Sequence, residues 1–93
     1  MELVVYLDAS VADWMLDPAP SLSKPAEVRE LEDVLTSLGL EIRAQNPGVQ
    51  DPELRRIFTA ELPSTAEAET AAQRLLDCSG VEGAYAKPAA SLP

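Results

Sequence analysis

The chain has 93 residues, 46% of them hydrophobic and 25% charged, a length and balance that fit one small globular domain, 1–93. Sixteen acids against seven bases leave a net charge of -9, which argues against nucleic acid and against anionic membrane surfaces, since both are bound through Lys and Arg. No apolar run approaches the roughly 20 residues a membrane span needs, and with no histidine the chain cannot build a Ser-His-Asp triad or a His-based zinc site.

Leu3-Val4-Val5-Tyr6-Leu7 is an apolar run rich in β-branched residues and reads as a central strand. Asp8 to Pro25 shows no clear period and holds Pro18, Pro20 and Pro25, so 8–25 is expected to be a long loop. Within it, Trp14-Met15-Leu16 is a candidate binding anchor, because Trp is enriched where partners meet. The plainer reading is a large side chain folded over the edge of a small core. A helix is expected from about Ala26, with Pro25 in its first turn. Val28, Leu31, Leu35 and Leu38 form its apolar stripe, Glu30, Glu32 and Asp33 turn outward, and Gly39 closes it.

Leu40-Glu41-Ile42-Arg43-Ala44 alternates as a half-buried strand does. A link to about Pro52 leads to a third strand, Arg56 to Leu62, with Phe58, Ala60 and Leu62 facing inward. The pattern Ser64-Thr65-Ala66-Glu67 is a capping box for a second helix. Ala68, Ala71, Ala72, Leu75 and Leu76 are its stripe, and Ser79-Gly80 ends it. Val81 to Lys87 is the last strand, Pro88 stops it, and 88–93 is a short tail. Cys78 reads as a small buried residue, and Arg55-Arg56, the only basic pair, as a solvated strand end.

The order strand, helix, strand, strand, helix, strand predicts an α+β domain of the ferredoxin-like βαββαβ kind. It has a four-stranded antiparallel sheet with two helices on one face. The other face has no second layer and is a natural partner surface. No glycine-rich phosphate cradle occurs, and the acids read as solvated surface rather than a catalytic pair. The expectation is therefore a binding protein rather than an enzyme, with no metal and no cofactor.

Three stretches carry a family resemblance. Phe58-Thr59-Ala60-Glu61-Leu62 resembles the third strand of the inhibitor-type propeptides of subtilisin-like serine proteases. Leu75 to Glu82, continued by Tyr85-Ala86-Lys87-Pro88, is similar to the end of those domains, and Leu3 to Leu7 to their first strand. The loop 8–25 is longer than theirs, and Lys87 stands where an acid is common. The resemblance implies a standalone inhibitor, or a folding helper, of a subtilisin-like protease, monomeric when free and a heterodimer with its target. The open sheet face would lie on the protease. The tail Ala89, Ala90, Ser91, Leu92 and Pro93 would enter the substrate cleft as a product does. Asp51 and Glu53 in the link are candidates to meet a helix N-terminus of the partner. Met1-Glu2-Leu3 lacks a signal-peptide pattern, so the expected compartment is the cytoplasm, or the exterior if a leader has been removed. An alternative is a regulatory module of the ACT kind that binds a small molecule or dimerises. A third possibility is an assembly domain pairing through a free sheet edge.

Overall fold

The computed structural model describes residues 1–17, 24–46 and 48–87. The elements in chain order are β1 (Glu2–Leu7), α1 (Ala9–Leu16), α2 (Ala26–Leu38), β2 (Arg43–Ala44), a 3-10 turn (Leu54–Arg56), β3 (Ile57–Glu61), α3 (Thr65–Leu76) and β4 (Val81–Lys87). They form a small α+β domain with a four-stranded antiparallel sheet in the order β2-β3-β1-β4. β1 pairs with β3 through Val4↔Thr59 and with β4 through Val4↔Tyr85. Its central place explains why it is apolar on both faces.

Alternation along β1 sorts the sheet into two sides. Leu3, Val5 and Leu7 are fully buried and join one core with Phe58 and Ala60 of β3. α2 adds Val28, Leu31 and Leu35, and α3 adds Ala71, Ala72 and Leu75. Gly39 ends α2 in the left-handed conformation, at φ +66, and its N–H reaches the Leu35 and Thr36 carbonyls. Ser64 caps α3 by accepting the Glu67 N–H at 3.2 Å. Glu30 of α2 accepts from both the N–H (2.7 Å) and the hydroxyl of Ser79, which ties α2 to the turn before β4.

Four features depart from the sequence expectation. There are three helices rather than two, because Ala9–Leu16 is helical where a loop was expected. Asp8 starts it by accepting the Ser10 N–H at 3.1 Å and the Ser10 hydroxyl at 2.5 Å, and Val11 and Ala12 seal it onto the core. Second, the strand expected over Leu40–Ala44 shrinks to Arg43–Ala44. Arg43 pairs with Thr59, so extending the ladder backwards would set Glu41 opposite Glu61, and like charges directly opposite are unfavourable. Third, β3 starts at Ile57, since Leu54–Arg56 winds into the 3-10 turn. Fourth, Leu76 lies on the outer side of α3, 43% exposed, rather than in its apolar stripe.

Candidate functional site: the open face of the sheet

The side of the sheet away from the core is built by the other half of each alternation. Cross-strand register arranges it in rows. Glu61, Glu2 and Lys87 form one row, Thr59, Val4 and Tyr85 the next, and Ile57, Tyr6 and Gly83 the third. Arg43 extends the middle row onto β2. Val4, at the centre, is only 3% exposed, walled in by its own neighbours. The Tyr6 and Tyr85 rings stack diagonally across β1 and β4, with centroids 6.4 Å apart and planes 25° from parallel. Such offset pairs stabilise a sheet beyond the area they bury. Tyr85 nevertheless remains 47% exposed, the most exposed large hydrophobic side chain described. Gly83 lies beside the Tyr6 ring, where an added Cβ would stand 3.7 Å from Tyr6 Cδ2.

Charge sits at the margin of this face. Lys87 Nζ is 3.7 Å from Glu2 Oε1, while Glu61 and Arg43 are exposed at the β3 and β2 side. The Tyr85 phenol is held above its ordinary value, first by lost hydration, then by the Tyr6 hydroxyl and the Glu2 charge. At neutral pH the Tyr85 phenol is thus available as a hydrogen-bond donor. An aromatic centre with a charged margin is the composition of a protein-binding patch.

A second candidate place lies at the end of the sheet where β1 stops and β3 and β4 begin. There α1 and the link before the 3-10 turn bound an open cleft of about 720 Å³, and none of the residues lining it belongs to the open face. Trp14 lines this cleft beside Pro52 and Arg55, and it also packs against the core, half-buried. It thus reaches both from a helix rather than from a loop. Asp51 and Glu53 flank Pro52 and are exposed. Asp51 Oδ1 accepts the Glu53 N–H at 2.9 Å and starts the 3-10 turn, and Glu53 pairs with Arg56 at 3.6 Å. Both thus have local partners in the chain.

Arg56 is the hub of this end rather than a solvated strand end. Its Nε donates to the Leu7 carbonyl at 2.9 Å, and its guanidinium also pairs with Glu82. Arg55 pairs with Asp13 of α1 at 3.4 Å. Both guanidinium groups lining the cleft are thus matched to carboxylates.

The structure brings Trp14 to the same cleft as the link that carries Asp51 and Glu53, and keeps all three off the open face. Ala89, Ala90, Ser91, Leu92 and Pro93 lie outside the described residues. The Tyr6–Tyr85 pair was not singled out from the sequence. Its signal was the shared parity of Val4, Tyr6 and Tyr85 once β1 and β4 are set in register. Cys78 is buried, its thiol facing the Arg74 carbonyl at 3.9 Å, and burial followed by the Glu30 and Asp77 charges pushes its pKa up. Among the described residues no cluster of three or more acids or cysteines could hold a metal ion, and no helix is long and apolar enough to cross a membrane. Compared with family models, curated proteins and solved structures, the chain matches none.

Proposed function

We propose that the chain is a protease-binding domain that inhibits a subtilisin-like serine protease, with the open face of the sheet lying on the enzyme. The observation that carries this reading is the uncovered face itself: a buried Val4 beside the half-buried Tyr6 and the exposed Tyr85, with charge only at the margin. β4 forms one side of that face and ends at Lys87. β4 thus ends at the margin of the proposed docking surface, beside the Glu2–Lys87 pair. The order β2-β3-β1-β4, with α2 between β1 and β2 and α3 between β3 and β4, supports the finer reading of a ferredoxin-like split arrangement. α1 is then an addition to that plan. The net charge of -9 favours encounter with a positively charged enzyme surface.

In this mechanism no covalent bond forms. The tail occupies the cleft as a product would, and the sheet face holds it there by mass action. Steady-state assays against several subtilisin-like proteases test the proposal. Competitive, reversible inhibition is expected from the full chain. Removing Ala89–Pro93 should abolish inhibition while binding persists. Replacing Tyr6 and Tyr85 together by Ala should weaken binding by roughly thirtyfold or more, the effect of losing about 2 kcal/mol at an aromatic anchor. If the full chain neither inhibits nor assists refolding of any of these enzymes, the proposal fails.

A further inference from the structure

The two edges of the sheet are unequal. β2 is a two-residue strand, and the chain before Arg43 leaves the ladder, so that edge offers little to an incoming strand. β4 is seven residues long and pairs with β1 along its inner side. Among the described residues no strand lies along its outer side. Alternate N–H and C=O groups of β4 therefore point outward with no strand to receive them, and such an edge is a template for another strand. Natural edges of this length are usually blunted by proline, by inward charges or by a strong bulge. Here the one irregularity, between Tyr6 and Leu7 in the β1 register, falls at the start of β4 and leaves Gly83–Lys87 regular.

The composition of this edge limits what can pair with it. Gly83, Ala84 and Ala86 put no bulk in the way. The charges stand at opposite ends and are of opposite sign, Glu82 at the start and Lys87 at the finish. Each is matched within its own chain, Glu82 by Arg56 and Lys87 by Glu2, so neither end opposes a reversed copy of the strand. We propose that two copies of the chain pair antiparallel through the outer edges of β4, joining their sheets about a two-fold axis at Tyr85. This register uses the whole regular stretch. Ala84 of each copy lies opposite Ala86 of the other on the helix side. Lys87 lies opposite Gly83 of the other copy on the open side, where it keeps Glu2 of its own chain as partner. On the open side the two Tyr85 rings face each other, so the existing Tyr6–Tyr85 stack continues across the axis. A cross-strand aromatic pair of this kind is favourable. It also gives the exposure of Tyr85 a cause other than the proposed protease. The pairing leaves the open face uncovered in both copies, so it stands apart from protease inhibition and can fail or hold independently.

Sedimentation equilibrium of the full chain across a concentration series, in enough salt to screen the net charge of -9, measures the mass directly. A monomer–dimer equilibrium is expected, with amide hydrogen exchange in β4 slowing as the dimer forms. Tyr85→Lys places two like charges face to face across the axis and should return the mass to that of one chain. Its circular dichroism should match the parent and its melting should fall only slightly, because the side chain lies outside the core and its loss removes only the pair with Tyr6. Arg43→Glu, on the other edge, should leave association unchanged. A single-chain mass at every concentration overturns the proposal, and so does a dimer that survives Tyr85→Lys. Slow exchange along β4 in a monomer would also overturn it, since the chain's own residues would then cover the edge.

Discussion

The two faces of one sheet are made by the same strands and yet obey different rules. On the covered side Leu3, Val5 and Leu7 are fully buried against α2 and α3, and every buried member of that core is aliphatic, Phe58 or cysteine. On the open side a single residue, Val4, reaches core-like burial, and it does so through neighbours within the sheet rather than through a second layer. The covered face is held by volume, because any missing methylene leaves a hole between layers. The open face is held by pairs, Tyr6 with Tyr85 and Glu2 with Lys87, whose members also touch water. Stability therefore belongs mainly to the first face.

The sharpest way to break this contrast is to truncate one large side chain on each face. Leu3→Ala removes a fully buried side chain between the sheet and the helices and should cost about 2–5 kcal/mol. Tyr85→Ala removes a larger side chain from an exposed cross-strand pair and should cost only about 0.2–1 kcal/mol. Urea unfolding of both variants measures the difference. Equal losses would mean that the open face is packed in solution and is not a free surface.

Two glycines sharpen the same point. A methyl on Gly80 would stand 2.9 Å from Val11 Cγ2 and 3.2 Å from Glu27 Cβ, both on helices pressed against the turn before β4. Glu27 Cβ cannot shift without moving α2, and a β-branched valine in a helix is held to one strongly preferred rotamer, so Gly80→Ala should cost about 1–3 kcal/mol as overpacking. A methyl on Gly83 would meet Tyr6 Cδ2 at 3.7 Å, an ordinary contact. Gly83→Ala should therefore be neutral, or stabilising by up to about 1 kcal/mol through a less flexible unfolded chain. Thermal melts of the two variants moving in the same direction by the same amount would count against the assignment of rigid and permissive sides.

How far the sequence reveals this architecture depends on how local each signal is. β4 has the predicted bounds, Val81–Lys87, and α2 and α3 lie where their stripes and caps place them, because each is specified by its own residues. α1 escapes such a reading because it is short and followed by prolines. Its signal was present, in Asp8 as a capping residue and in Val11, Ala12, Met15 and Leu16 at helical spacing. β2 is a different matter. Leu40 and Ile42 do pack against the core, as their alternation suggests, but strand pairing there is decided by what stands opposite, Glu61, which no local pattern contains. The candidate site is legible in the same uneven way. That one face lacks a cover follows from counting helices. Which aromatics lie on it follows only from the register of β1 against β4, and the role of Arg56 only from three partners, Leu7, Glu53 and Glu82, that reach it from separate segments.

The smallest expected effect concerns α1, whose first turn rests on one carboxylate. Asp8 accepts both hydrogen bonds that Ser10 can offer, from its hydroxyl and its N–H, with further help from the Val11 N–H and the distant Arg56 charge. Each of these favours the ionised form, the Ser10 hydroxyl most, so the Asp8 pKa in the folded chain lies below the ordinary 3.8. A carboxylate depressed on folding contributes stability that is fully present above its unfolded value. That stability drains away as pH falls through the folded value. The acid side of the stability profile should therefore contain a contribution from Asp8 that begins to fade below about pH 3.8. Asp8→Asn keeps a side-chain oxygen to accept from Ser10 but cannot ionise. Its stability deficit relative to the parent should be largest near neutrality and should shrink toward zero in acid. Asp8→Ala keeps no acceptor and should remain less stable than Asn throughout. Urea unfolding of the three proteins at stepped pH, followed by far-UV circular dichroism, separates these cases. A deficit of Asp8→Asn that stays constant down to strong acid would show that the cap works through its shape alone and that its charge contributes nothing.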